Sequence, residues 1–298
     1  MRIFVTGASG FIGSAVIPEL IGAGHQVVGL ARSDASAGVL AAAGAEVHRG
    51  SLDDLDRLRA GAEASDGVIH LAFIHDFSQY ENAARVDLRA IETFGAALRS
   101  SDRPLVIASG LVGSVAGQLS TEQDVPDLAR NPRIASAQAA LALASQGVRS
   151  SVVRLAPTVH GEGDHGFIAT LIGIAREQGV SGYIGDGNNR WPAVHRLDAA
   201  RLFRLALEGA LAGSVLHGVA DEGVPVRTIA EVIGRHLDLP VVSIPAEQAG
   251  EHFGWLGRFL DADLAASSAL TRELLSWQPI HPGLIEDLDQ GHYFRDPS

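Results

Sequence analysis

A glycine-spaced turn between a short apolar run and an amphipathic one is the strongest constraint on how this chain folds. Residues 3–7 read IFVTG, and FIGSAVIPELIGAG at 11–24 places apolar side chains at helical spacing before a glycine stop. HQVVGLAR at 25–32 is too short for a helix and is bounded by Gly24 and the Ser33–Asp34 turn signal, so it reads as a strand. Strand, helix and strand of these lengths make a parallel crossover. Gly7, Gly10 and Gly13 form G-x-x-G-x-x-G at its first turn. The first glycine permits the tight turn, the second lets a pyrophosphate approach the backbone, and the third lets helix and strand pack closely. Amides at the helix start face the anion, Thr6 and Ser9 add hydroxyls, and Phe11 and Ile12 complete the loop.

The alternation continues. Helices are expected at 35–44, 52–61, 77–99 and 134–146, and strands at 45–50, 67–73, 104–109 and 150–156. In the long helix at 77–99 Phe77, Tyr80, Ala84, Leu88, Ile91, Phe94 and Leu98 recur every three or four residues, which assigns Tyr80 to a packed stripe. Apolar strands alternating with helices give an α/β, doubly wound parallel sheet, the Rossmann fold, over residues 1–156. After Pro157 the elements shorten and Gly-rich turns appear at HGEGDHG 160–166 and GDGNN 185–189. Helices are expected at about 167–178, 197–210 and 226–237, strands at 191–195, 214–220 and 241–245, and mixed helical material beyond. Residues 157–298 are therefore read mainly as a substrate-binding region, with some segments packing back on the sheet.

The chain has no cysteine, which excludes disulfides, thiolate catalysis and cysteine-ligated metals. Arginine and lysine total 23 against 35 acidic residues, a net charge of −12 that repels nucleic acid. Met1 and Arg2 lead straight into a strand without a signal-peptide pattern, and no run of 18 apolar residues occurs. The expectation is a soluble, cytoplasmic protein with a small-molecule substrate and neither nucleic acid nor membrane as partner.

At the end of the second strand an Asp or Glu would accept from both hydroxyls of an adenosine ribose and repel a 2′-phosphate. This chain has Ala31, Arg32 and Ser33 there, a set of donors in place of a carboxylate, which favours NADP and leaves NAD as the alternative. Asp34 is expected to cap the helix starting near Ala35.

TGASGFIG at 6–13, HLAF at 70–73, the AS of VIASGLVG at 108–109, RLAPTVHG at 154–161 and GDG…WPAVHRLDAARLF at 185–203 together resemble the extended short-chain dehydrogenase/reductase family. That family includes nucleotide-sugar epimerases and dehydratases, and the resemblance runs over essentially the whole chain. It implies that Leu71, Ala72 and Phe73 cover the cofactor ribose and pyrophosphate, that Ser51 and Leu52 touch adenine, and that Pro157, Thr158 and Val159 border the nicotinamide. It also implies a homodimer through the helices at 77–99 and 134–146.

The family reaction uses a Tyr-x-x-x-Lys pair with a nearby Ser or Thr. Aligned through Pro132, Arg133 stands at the tyrosine position, Ala137 at the lysine position and Ser136 just before it. No lysine occurs anywhere, and the only tyrosines are Tyr80, Tyr183 and Tyr293. Asp87 stands where the family usually has asparagine. The catalytic candidates are Ser109 for the serine position, His75 as a proton donor or a plain surface-loop histidine, and Arg133 as a fixed cation that is a poor proton relay. His160, Glu162, Asp164 and His165 lack a metal-binding spacing, so His160 and His165 are read as substrate contacts and no metal is assigned. Arg190 and His195 are placed at the pocket, with Asp198 expected to cap the helix near Leu197. Trp255, in EHFGWLGRFL at 251–260, belongs either to an apolar pocket wall or to a packed amphipathic helix. The expected activity is carbonyl/alcohol hydride transfer with NADP, against a cofactor-binding sensor or an epimerase-like isomerase.

Overall fold

The computed structural model describes residues 1–76, 79–111, 117–127 and 131–295. Phe77, expected at the start of the long helix, lies outside the described residues. The first half runs β1 (Arg2–Thr6), α1 (Gly13–Gly22), β2 (Gln26–Ala31), α2 (Asp34–Ala42), β3 (Glu46–Arg49), α3 (Leu55–Glu63), β4 (Gly67–His70), α4 (Tyr80–Leu98), β5 (Pro104–Gly110), α5 (Ile134–Ala142) and β6 (Arg149–Leu155). A parallel sheet of seven strands results, in the order β10-β6-β5-β4-β1-β2-β3, with β10 (Ser214–Gly218) returning from the second half to pair with β6. The order reverses at β1, so the carboxyl ends of β1 and β4 open a crevice where an α/β sheet receives its ligand.

Alternation along β1 explains the two covering layers. Ile3 and Val5 join the core with Val16, Leu20, Phe203 and Leu207, while Phe4 points to the other side with Leu58, Phe94 and Leu143. A sheet buried on both faces needs apolar residues at successive positions, as VVGLA of β2 and VIH of β4 supply.

The second half contributes β7 (Thr158–His160), α6 (Phe167–Gln178), β8 (Ser181–Ile184), β9 (Arg190–His195), α7 (Arg196–Gly209), β11 (Asp221–Pro225), α8 (Val226–Leu237) and β12 (Val241–Ile244). It makes a three-stranded sheet, β11-β9-β7, and a two-stranded one, β12-β8. Short helices α9 (Ala249–Phe253), α10 (Gly257–Leu260), α11 (Ala269–Leu275) and α12 (Leu284–Asp289) follow. α7 packs back on α1, closing one face of the large sheet. Among the described residues no helix is long and apolar enough to cross a membrane.

Several local expectations need correction. Ser33, not Asp34, caps α2: its hydroxyl accepts from the Ser36 amide and Ser36 returns the bond, leaving Asp34 in the first helical turn. Asp198 does not cap α7; that role falls to His195, whose Nδ1 accepts from the Leu197 amide. Tyr80 is half-buried at the start of α4, outside the core clusters, its hydroxyl donating to Asn131 Oδ1 at 3.0 Å and its ring meeting Phe73 edge-on. The strand expected at 67–73 stops at His70, where the chain turns over β1. β7, β8 and β11 were not anticipated, being three to five residues long without clean apolar alternation.

Candidate functional site

The glycine loop fits a dinucleotide phosphate by its backbone. Gly7 has φ +67°, and a Cβ there would lie 2.6 Å from the Ala72 amide nitrogen. At Gly13 a Cβ would lie 2.1 Å from the Gly7 carbonyl oxygen, whereas at Gly10 the nearest atom is 3.2 Å away. Two glycines are thus demanded by close packing, and the middle one faces outward, exposed like Ser9. α1 begins without a side-chain cap, and the amides of Phe11, Ile12 and Gly13 make no hydrogen bond to the backbone around them. Among the described residues these three amides have no acceptor, and at the positive end of a ten-residue helix such amides can receive an anion.

At the far end of that crevice Arg32 and Ser33 stand exposed beyond β2. The acid beside them is answered: Arg49 from β3 meets Asp34 at 2.5 Å. Ser51 and Leu52 follow β3, half-buried, with Ser51 in a groove shared with Asp53, Leu55 and Arg89. Leu71, Ala72 and Phe73 lie half-buried on the opposite lip, the Ala72 amide donating to Thr6 Oγ1 at 3.3 Å.

Under that lip runs a buried polar chain. Thr6 Oγ1 lies 2.6 Å from His70 Nδ1, and His70 Nε2 lies 3.2 Å from Asp87 Oδ1. The other carboxylate oxygen is 3.7 Å from Arg133 Nε, an ion pair too long for a hydrogen bond. Burial would raise the Asp87 carboxyl, but the His70 hydrogen bond and the Arg133 charge hold it below its usual range. Arg133 is further fixed by donating to the Ala108 carbonyl at 2.9 Å and by lying 3.9 Å over the Phe73 ring. Asp87 and Arg133 therefore compensate each other in charge. Ser109 follows Ala108 on β5, half-buried. His75 packs edge-on against Phe73, and crowding, then the charges of Arg133 and His165, push its pKa down. Arg133 and His75 thus both meet Phe73, and Ser109 stands next to the Ala108 carbonyl that Arg133 grips.

The substrate-side candidates divide. His165 is exposed and meets the Phe11 ring edge-on at 5.8 Å, which brings the 160–166 loop onto the dinucleotide loop. His160 is buried and locked, its Nδ1 2.8 Å from Asp287, which also holds His292. Arg190 grips Asp263 through Nε at 3.0 Å and a terminal nitrogen at 2.8 Å, so its fork is occupied. His195 is buried, stacked on His281, and pushed down to about 4 by burial and then by His160. Trp255 is exposed, edge-on to Phe167 and Phe259, at the rim of an aromatic cluster that includes Trp191. Pro157 and Val159 are half-buried at β7, whereas the Thr158 hydroxyl is donated to the Pro192 carbonyl.

Sequence reasoning missed the groups that organise these side chains. Asp263, Asp287 and Tyr293 come from the C-terminal segment, Tyr293 donating to Asp164 at 2.8 Å and accepting from the Gly161 amide. Burial raises both the Asp164 and the Tyr293 pKa. Only the scarcity of tyrosine hinted at Tyr293. Among the described residues no three His, Asp or Glu side chains are set to hold a metal ion.

A sheet of this order and a glycine cradle of this geometry define a class, and the chain matches the NAD dependent epimerase/dehydratase family over residues 3–216. It belongs to that family. It is 52% identical over 295 residues to the uncharacterized protein C2A9.02 of Schizosaccharomyces pombe, covering 99% of this chain and 100% of that one. Its identity to the decarboxylating sterol-4-alpha-carboxylate 3-dehydrogenase of Dictyostelium discoideum is 27%, over 76% of this chain and 73% of the other. Among solved structures, Thermus thermophilus UDP-glucose 4-epimerase in complex with NAD superimposes with a TM-score of 0.76 at 20% identity, covering 98% and 99% of the two chains.

Proposed function

We propose that this chain is an oxidoreductase that transfers hydride between a nicotinamide dinucleotide, preferentially NADP(H), and a carbonyl or alcohol. Arg133, held in place by Asp87, Ala108 and Phe73, carries the reading. The family relationship and the NAD complex of the Thermus epimerase support a nicotinamide ligand. The amides of Phe11, Ile12 and Gly13 would bind its pyrophosphate and Arg32 with Ser33 its 2′-phosphate. When bound, the nicotinamide supplies or accepts the hydride.

The remaining chemistry falls to side chains. A guanidinium stays protonated at any working pH, so Arg133 polarises the substrate oxygen by hydrogen bonding without donating its proton. Ser109 would steady the same oxygen, and the proton would come from His75 or water. Substrate would enter between Phe73 and the region 157–298, with His165 at the entrance. The α4 and α5 faces would carry a homodimer, measurable by sedimentation.

Oxidation of NADPH and NADH against a panel of aldehydes and ketones tests the reading. Arg133→Gln is expected to lower kcat by about 100-fold while cofactor affinity stays within about twofold, and Arg133→Lys to recover part of the loss. Wild-type protein that binds NADPH but turns over none of the panel would refute it. A second reading, a cofactor sensor without turnover, is favoured by one fact: no lysine exists to replace the family pair. A melting temperature that answers NADPH and NADP+ differently, without turnover, would support it.

A further inference from the structure

Arg196 opens α7 directly after His195, half-buried, where three segments meet. Its guanidinium lies 5.2 Å over the ring of Phe11, and His165 meets that same ring edge-on. The 160–166 loop wraps its stem: Gly161 (φ +133°) would put a Cβ 3.2 Å from Arg196 Cγ, and Gly163 (φ +85°) one 3.7 Å from a terminal nitrogen. Both glycines adopt conformations that side chains resist, and at Gly161 the loop passes close against this arginine.

Among the described residues the Arg196 side chain has no hydrogen bond and no ion pair, so no acid answers it there. Asp164 is taken by Tyr293 and the Gly166 amide, Asp198 by the Ile280 and His281 amides, and Asp287 by His160 and His292. In a chain with 35 acids against 23 bases an unanswered guanidinium runs against the general balance. An aromatic face orients such a group without neutralising it.

We propose that Arg196, with His165 across the Phe11 ring, is an oxyanion-binding group at the junction of the dinucleotide loop and the 160–166 loop. Resting on the reading that the glycine loop binds a dinucleotide, it takes either the cofactor pyrophosphate or a carboxylate or phosphate on the substrate. Both sources share one chemistry, a compact oxyanion that pairs with a planar guanidinium.

Calorimetric titration of the wild type, Arg196→Gln and Arg196→Lys separates the sources. If the cofactor is the source, Arg196→Gln weakens NADPH and inorganic pyrophosphate by about tenfold or more. If the substrate is the source, NADPH is unchanged, and oxalate or inorganic phosphate on the NADP+-loaded protein weakens by that factor. Arg196→Lys should keep most of the affinity in either case. Unchanged affinity for all four probes in a folded Arg196→Gln protein overturns the proposal. Should Arg196→Gln fail to fold, Arg196→Met, which keeps the stem on Phe11, takes its place under the same criteria. Wild-type protein that binds neither NADPH nor NADH refutes the dinucleotide reading alone. Phosphate and pyrophosphate titrated onto the free protein then decide Arg196, a loss in Arg196→Gln supporting it and no difference overturning it.

Discussion

The dinucleotide loop at 7–13 and the substrate-side loop at 160–166 are both rich in glycine, yet they are held in place by opposite means. In the first, backbone packs on backbone: Gly7 against Ala72, Gly13 against the Gly7 carbonyl, with its outward amides left free. In the second, side chains from the C-terminal segment grip the loop, Tyr293 taking Asp164 and the Gly161 amide while Asp287 takes His160. A ligand cradle made of backbone needs its residues to be small. A loop held by side chains needs them polar, and most of that polarity then serves the fold and not a ligand.

The sharpest way to break the first region is Gly13→Ala. Its Cβ would overlap the Gly7 carbonyl at 2.1 Å, with backbone on both sides unable to yield. The expected result is a loss of about 3 kcal/mol in stability by denaturant titration and of roughly 100-fold in NADPH affinity. The same change at Gly173, where nothing lies within 4 Å of an added Cβ, should be close to neutral. Equal effects at the two sites would mean that the loop is not a packed cradle.

The second region should show itself through pH. His195 is held neutral in the fold, its pKa lowered from 6.5 to about 4 by burial and by His160. The unfolded chain takes up a proton on this group as pH falls below 6.5, and the folded chain does not until about 4. Its contribution to stability is therefore complete above pH 6.5 and is lost as pH falls through that window, by about 3 kcal/mol. His195→Asn keeps an acceptor for the Leu197 amide and removes the titration. Denaturant midpoints at pH 7.5 and pH 4.5 should converge in the variant relative to the wild type. An unchanged difference would place the pH sensitivity elsewhere in the Asp287 cluster.

How much could be read beforehand follows the same division. Gly7, Gly10 and Gly13 were legible because the missing side chain that the loop relies on is written in the residue itself. Arg133 was legible by its distance from Pro132, though not its long pair with Asp87, which lies on another helix. Arg190 and His160 stand out in the sequence, but their partners Asp263 and Asp287 lie 73 and 127 residues further on, beyond any local pattern. The cap of α2 falls on Ser33 and not on the expected Asp34 because both residue types favour that position and only the backbone angles decide between them. The short strands β7 and β11 both pair with β9, and β8 pairs with β12, so their partners are distant segments and no periodicity of their own announces them.

The smallest effect concerns the adenosine end, and it tests whether a side chain tunes the backbone cradle at all. Arg32 would attract a 2′-phosphate, while Asp34, two residues away, would repel it unless Arg49 offsets its charge. Both members of the Arg49–Asp34 pair are exposed, so water and salt screen it strongly. Arg32→Gln should lower NADPH affinity by about tenfold and leave NADH unchanged. Arg49→Gln should lower NADPH affinity by only about twofold, again sparing NADH, and the difference should vanish in high salt. Equal losses for both nucleotides in either variant would mean that the arginines support the shape of the β2–α2 corner and do not read the phosphate.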